Sequence, residues 1–312
     1  MRTISFAYTS FVVTATFFGF MQRRNFIETE QINFKLVPGL DNYAVMGNPI
    51  SHSKSPQIHK AFASQVGQKL HYQSILVPFS MFEQAARLFL ERGGKGLNIT
   101  IPYKQDAFYF ATRLTSRARF AKAVNTLSFN SSSVIDGDNT DGIGLLRDLE
   151  RNRIDITGKR LLLVGAGGAV CGIFKTLLEQ NLDSITVANR TLTRAKTLVS
   201  QYNNASNILA CSLSDLRKMG EFDVIINGTS ASLTMELPEL PESIINKKSS
   251  CYDMAYGDSE SVFVKWSKSL GAKIAVDGLG MLIEQAAESF YIWRGVRPDT
   301  GPVIKRLRAE MR

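Results

Sequence analysis

The chain has 312 residues, 44% of them hydrophobic and 21% charged. That balance excludes collagen, coiled coil and bulk disorder, and at roughly 150 residues per domain the length suggests about two domains. With 37 Lys and Arg against 28 Asp and Glu the formal net charge is +9, but the cations are spread out, densest at Arg113 to Lys122 and in Lys305, Arg306, Arg308 and Arg312. No nucleic-acid-binding signature accompanies them, so nucleic acid is not expected as a partner and an anionic small molecule is.

Cys171, Cys211 and Cys251 are odd in number and far apart, which argues against a disulfide framework and for a reducing, cytoplasmic setting. With His52, His59 and His71 they show no zinc-type spacing, so no metal is expected. The oligomeric state is not set by the sequence; a homodimer is compatible with it.

The N-terminus comes first in chain order. Residues 3–22, between Arg2 and Arg23, carry no charge and are long enough to span a bilayer. Thr3, Ser5, Tyr8, Thr9, Ser10, Thr14 and Thr16 dilute the apolarity, and no A-x-A cleavage site follows. A start assigned too early, with Met21 just after the run, explains it best; a leader and an anchor are the alternatives. No membrane is expected for the folded body.

From Tyr43, short apolar runs alternate with helix-like stretches. Tyr43–Met46 reads as a strand entering the turn Gly47-Asn48-Pro49. A helix opens at Ser55, with Ser55 as cap and Pro56 in a tolerated first-turn position. Tyr72–Val77 is a second strand. Phe82–Arg92 is a helix with Phe82, Ala86, Phe89 and Leu90 at helical spacing, stopped by Gly93-Gly94. Gly96–Ile101 is a third strand closed by Pro102, with Asn98 and Thr100 on one face and Lys104 presented at its end. Such alternation predicts an α/β sheet.

The second half opens near Gly142. Leu161–Val164 is wholly apolar, as a buried parallel strand is, and runs into Gly165-Ala166-Gly167-Gly168-Ala169, then a helix through Phe174, Leu177 and Leu178. The strand Ser184–Ala188 completes a βαβ unit of about thirty residues. Phe222–Asn227 is another buried strand, ending in Gly228.

Two features of this half carry chemistry. A glycine turn between a strand and a helix lets backbone approach a pyrophosphate at the helix N-terminus; Gly165 and Gly167 fit, while Val170 stands at the third glycine position. After the next strand, an NAD site would offer an acid to the ribose. This chain has Asn189-Arg190-Thr191-Leu192-Thr193-Arg194, whose guanidiniums suit a 2′-phosphate and favour NADP. A tight turn followed by a solvated arginine loop is the plainer alternative. The first half concentrates short polar groups at element ends: Ser51-His52-Ser53-Lys54-Ser55, Asn98 to Lys104, Ala123-Val124-Asn125-Thr126 and Gly137 to Gly142. Each alone reads as a turn or cap; together they are more uncharged donors and acceptors than structure requires.

The ordered series Gly47-Asn48-Pro49-Ile50-Ser51-His52-Ser53, Asn98-Ile99-Thr100-Ile101-Pro102-Tyr103-Lys104, Ala123-Val124-Asn125-Thr126, Asp138-Asn139-Thr140-Asp141-Gly142 and Gly165 to Ala169 strongly resembles shikimate dehydrogenase. Asn189-Arg190-Thr191, Asn227-Gly228-Thr229-Ser230, Asp253-Met254-Ala255-Tyr256 and Asp277 to Leu282 extend the resemblance over roughly residues 41 to 300. It implies NADPH-dependent, reversible reduction of 3-dehydroshikimate to shikimate on the route to chorismate and the aromatic amino acids. It also implies an N-terminal α/β substrate-binding domain (41–141) after an extension (1–40), and a Rossmann-like NADP-binding domain (142–277) with a cleft between them. C-terminal helices (278–312) return to the substrate domain, one starting near Leu282.

By the same resemblance, Lys104 and Asp141 are the catalytic pair. Lys104 stabilises charge on the carbonyl oxygen and supplies the proton, and Asp141 orients it. Ser51, Ser53, Thr100, Asn125, Tyr256 and Gln285 contact the substrate. Gly165, Ala166, Gly167, Gly168, Ala169, Asn189, Arg190, Thr191 and Arg194, with Met254, Gly278 and Met281, hold the cofactor. The extension, Tyr103 and Gln105 depart from the usual family pattern. Quinate/shikimate dehydrogenases share this site, so use of quinate or NAD is one alternative; a non-catalytic dinucleotide-binding homologue is the other.

Overall fold

A computed structural model of the chain describes residues 32–202 and 207–311. The uncharged run at residues 3–22, with every reading of it, lies outside the described residues. None of the described helices is long and apolar enough to cross a membrane.

The first half forms a six-stranded mixed sheet from β1 (Asp41–Gly47), β2 (Leu70–Leu76), β3 (Gly96–Ile99), β4 (Arg113–Leu114), β5 (Thr126–Phe129) and β6 (Ile135–Asp138), in the order β2-β1-β3-β5-β6-β4. Strands β1, β2 and β3 are parallel, whereas β5 is antiparallel to both β3 and β6. Helices α1 (Ser55–Gln65), α2 (Phe82–Glu91), α3 (Lys104–Phe110) and α4 (Ser116–Ala121) connect them. Helix α2 buries Phe82, Ala85, Ala86 and Phe89, the stripe its period requires; full burial of a phenylalanine such as Phe89 contributes about 2–3 kcal/mol.

After α5 (Asp141–Arg151) comes a second sheet, all parallel, of β7 (Arg160–Val164), β8 (Ser184–Ala188), β9 (Ile208–Cys211), β10 (Val224–Asn227), β11 (Ser250–Asp253) and β12 (Ile274–Asp277). Its order is β12-β11-β10-β7-β8-β9. The strand order reverses between β7 and β10, and ligands of doubly wound sheets bind at such a reversal, beyond the carboxyl ends of the strands. Helices α6 (Gly168–Leu178), α7 (Leu192–Val199) and α8 (Val262–Ser269) serve this sheet. Leu161 to Val164 are fully buried, as the apolar run predicts for a strand covered on both faces.

Two C-terminal helices, α9 (Leu279–Arg294) and α10 (Gly301–Glu310), pack Leu279, Ile283, Phe290 and Leu307 against Ile58 and Phe62 of α1. Helices α5 and α9 approach closely because Gly144 and Gly280 face the partner helix: a Cβ on Gly144 would lie 2.7 Å from Gln285 Cβ, and one on Gly280 would strike the Asp148 carboxylate. That carboxylate accepts from Tyr252 at 2.6 Å, and burial raises its pKa to about 6.

Four local expectations are corrected. Ser55 is not the cap but the first residue of α1, behind Lys54, and its backbone N–H donates to Ser53 Oγ at 3.3 Å. Strand β3 ends at Ile99; Thr100 still donates its N–H to Met46 O of β1 at 3.0 Å, and its own carbonyl opens the turn through Pro102 to Tyr103. Lys104 is the first residue of α3 rather than a strand-end residue. Helix α9 begins three residues before Leu282 because the Asp277 carboxylate accepts from Leu279 N–H at 3.2 Å. Among the described residues, both cation clusters are interrupted by ion pairs: Arg113 with Asp136, Arg117 with Asp138, and Arg308 with Asp277.

Candidate active site

A cavity of about 1390 Å³ opens beyond the carboxyl ends of the second sheet and faces the loop after β1. One wall is the glycine turn. Gly165, at φ +110°, takes a conformation L side chains rarely adopt, and a Cβ there would lie 3.1 Å from Gly228 O at the end of β10. A Cβ on Gly228 would collide with Val170. The small residue expected in third place on the helix is thus supplied by the neighbouring strand. Gly167 and Gly168 face open space at the start of α6, leaving a cradle for an anion at a helix N-terminus. Asn189, Arg190 and Arg194 line the same cavity, and neither arginine enters an ion pair among the described residues. This is a donor set that fits the pyrophosphate and the 2′-phosphate of NADP.

The opposite wall holds Ser51, His52, Ser53, Lys54 and Gln57, with Met254 and Tyr256 between the walls. Asp253, at the end of β11, shapes that middle part. Its buried carboxylate accepts from Asn227 at 3.2 Å, from Ser232 at 2.6 Å and from Ser261 and Ala255 N–H, tying together the loops that follow β10 and β11.

Lys104 and Asp141 meet: Nζ lies 2.6 Å from Oδ2. Lys104 stands at a helix N-terminus, where a cation is disfavoured, and the carboxylate compensates. Asp141 begins α5, held from behind by Asn139, whose Oδ1 accepts from Asp141 N–H at 3.1 Å while its Nδ2 donates to Ala123 O. Asn125 Nδ2 donates to Asp141 Oδ1 at 2.7 Å and lies 3.3 Å from Gln285 Oε1. Its Oδ1 accepts from Thr140 N–H at 3.0 Å and Thr126 Oγ at 2.8 Å. Both Asp141 oxygens are therefore occupied, one by a cation and one by a buried amide.

The structure thus brings Lys104, Asp141, Asn125 and Gln285 together in one network, and places Ser51, Ser53, Tyr256, Gly165 to Ala169, Asn189, Arg190, Arg194 and Met254 on the cavity. Thr100 packs its methyl toward Gly47. Thr191 caps α7, with its carbonyl accepting from Asn189. Gly278 lies against the Met254 backbone, where a side chain would not fit, and Met281 is buried among core residues.

Sequence marked Asn98 and Thr126 only as members of polar clusters, and not the supporting layer they build behind the site. Asn98 Nδ2 reaches Asn125 O, Thr126 Oγ and Ser289 Oγ at 3.0–3.3 Å, and its Oδ1 accepts from Tyr72 at 2.7 Å. Ser289 lies one turn after Gln285 on the same helix face, so its position was open to inference. Tyr72 carried no signal. It stacks on buried His59, rings 4.2 Å apart, and neither nitrogen of His59 has a hydrogen-bond partner among the described residues; burial lowers that pKa to about 3.

The chain is similar in sequence and fold to known proteins. The family profile for the shikimate dehydrogenase substrate binding domain matches residues 45–127. That for shikimate / quinate 5-dehydrogenase matches 148–255, and that for the shikimate 5′-dehydrogenase C-terminal domain matches 278–308. The shikimate dehydrogenase (NADP(+)) of Alkalilimnicola ehrlichii is 51% identical over 271 residues, covering 86% of this chain and 99% of its own. That of Cellvibrio japonicus is 50% identical, covering 87% and 98%. Among solved structures, shikimate 5-dehydrogenase from Thermus thermophilus, in complex with NADP(H) and shikimate, superposes with a TM-score of 0.78. It is 26% identical and covers 88% of this chain and 100% of its own.

Proposed function

The chain belongs to the shikimate dehydrogenase family, and we propose on that premise that it interconverts 3-dehydroshikimate and shikimate with NADP(H), using Lys104 and Asp141 as its catalytic pair. The observation that carries the assignment is the 2.6 Å contact of Lys104 Nζ with Asp141 Oδ2, a charged pair at the domain junction whose members are largely shielded from water. NADPH, when bound, supplies the hydride.

The chain's own residues do the rest. The Gly165–Ala169 turn and the α6 N-terminus receive the pyrophosphate, and Arg190 and Arg194, with Asn189 and Thr191, receive the 2′-phosphate. Gly278, against the Met254 backbone, and Met281, in the core beneath, would hold Met254 on the cavity wall for the cofactor. Ser51 and Ser53 hold the substrate carboxylate, while Thr100, Asn125, Tyr256 and Gln285 orient its ring hydroxyls. Lys104 Nζ donates to the carbonyl oxygen as negative charge grows on it, then gives up a proton there. In the reverse direction it takes that proton back. Asp141 accepts from Nζ through Oδ2 and keeps the amine aimed at the reacting oxygen, while Asn125 holds Oδ1 so that the carboxylate cannot rotate away.

Residues 41–141 then act as the substrate domain, 142–277 as the cofactor domain, and 278–312 as the return that delivers Gln285. Its three unpaired cysteines support a reducing, cytoplasmic setting for a small-molecule enzyme, and a homodimer is compatible with the chain. The test is NADP-dependent oxidation of shikimate by wild type and Lys104→Ala, with NAD and quinate in parallel. Wild type should turn over shikimate with NADP, and the folded variant should lose at least about a hundredfold. An undiminished variant, or wild-type preference for NAD or quinate, sinks the corresponding part of the assignment.

A further inference from the structure

Helix α6 carries an interior glycine, Gly172, where no turn, cap or positive φ calls for one. Glycine is disfavoured against alanine at such a position. Space supplies the reason. A Cβ built on Gly172 would lie 2.9 Å from Asp141 Oδ2, 3.4 Å from Asn139 Nδ2 and 3.5 Å from Asn139 Oδ1. The first distance is shorter than a Cβ tolerates, and Oδ2 is the oxygen that accepts from Lys104. One turn further along, Thr176 closes against Gly142 in the same manner. The helix therefore lies on the start of α5 over two successive turns.

We propose that Gly172 is a positioning residue of the reaction: its missing side chain lets α6 wall the Asp141 carboxylate and so sets where the carboxylate meets Lys104. The proposal rests on Lys104 and Asp141 being the catalytic pair. Helix α6 begins at the glycine turn, so one rigid element carries both the phosphate cradle and the wall behind the catalytic carboxylate. The three atoms nearest a methyl group at position 172 are all side-chain ends, and the closest, Asp141 Oδ2, is the one that must shift against its bond to Lys104. The fold tolerates the change; the ion pair does not.

The experiment compares wild type, Gly172→Ala, Gly172→Ser, Asp141→Asn and the Gly172→Ala/Asp141→Asn double variant in shikimate oxidation. NADPH affinity is read by nucleotide fluorescence and folding by thermal unfolding. We expect both Gly172 variants to unfold at or above the wild-type temperature and to bind NADPH within about threefold of wild type, while kcat falls by about ten- to a hundredfold, the usual scale for displacing a reacting group by an ångström or less. In the Asp141→Asn background Gly172→Ala should cost almost nothing, because the group it acts through is already disabled. A merely structural glycine would cost the same factor in both backgrounds. The inference alone is overturned if wild type is active and Asp141→Asn impaired, yet the Gly172 variants keep wild-type kcat, cost the same in both backgrounds, or fail to fold. An inactive wild type or an unimpaired Asp141→Asn overturns the catalytic assignment, and this inference with it.

Discussion

Exchange of Asp141 for asparagine replaces one oxygen by an NH₂ group, and in this site that small change has no harmless orientation. Oδ2 accepts from Lys104 at 2.6 Å and Oδ1 accepts from Asn125 at 2.7 Å. An amide has one oxygen, so whichever donor it serves, its NH₂ faces the other donor. Turned toward Asn125, it leaves the ammonium without its anion; turned toward Lys104, it sets two cationic or partly positive groups against each other. A charge-assisted hydrogen bond contributes about 1.5–3 kcal/mol, and a buried donor left without a partner costs about 1–3 kcal/mol. The Lys104 side chain is 26% exposed, which places the ion-pair part at the low end. About 3–4 kcal/mol remains, equivalent to a loss of a few hundredfold in kcat/KM at 1.36 kcal/mol per factor of ten. Initial rates of shikimate oxidation, followed by the absorbance of the reduced nicotinamide, measure it, with thermal unfolding as the control for folding. A folded variant within about threefold of wild type would refute the reasoning, since neither hydrogen bond could then matter in the transition state.

Two other outcomes follow from the same geometry. Arg190→Ala and Arg194→Ala should each raise KM for NADP by about tenfold and leave KM for NAD nearly unchanged, because a phosphate contact of about 1.4 kcal/mol is removed and no other charge; parallel loss with both nucleotides would show that the arginines do not read the 2′-phosphate. Burial holds His59 neutral down to a pKa of about 3, against an ordinary 6.5. Above pH 6.5 both folded and unfolded chains carry it neutral. As pH falls from 6.5 toward 3 the unfolded chain takes up a proton that the folded chain refuses, so stability is lost across that window, by up to about 5 kcal/mol. His59→Phe keeps the stacking and removes the titration. Urea unfolding at pH 4.5 and 7 should show a smaller difference for the variant, and an unchanged difference would count against a buried neutral imidazole.

Local sequence determined the α/β class and the position of the glycine turn. These follow from signals a few residues long: the apolar run Leu161–Val164, the helical spacing of Phe82, Ala86 and Phe89, and glycines where backbone must come close. Element ends were less legible. Ser55 looked like a cap and Thr100 like a strand residue because propensity does not register that Lys54 already closes the helix or that the turn at Pro102 starts two residues early. Composition marked Ser51, Asn125 and Asp141 as polar groups in excess of structural need, and the family resemblance gave them roles.

Partnership was another matter. Lys104 and Asp141 are 37 residues apart and Asn125 and Gln285 are 160 apart, and no periodicity links positions on different elements. Their meeting depends on α5 and α9 closing through Gly144 and Gly280, and on α6 closing through Gly172. The hidden layer of Asn98, Tyr72, His59 and Ser289 depends on the order β2-β1-β3-β5, which brings distant strands under one helix. A sequence states which groups are present and which short segments they stiffen. Which donor finds which acceptor is decided by packing, because hydrogen bonds act over about 3 Å and only the assembled sheets and helices define distances that short.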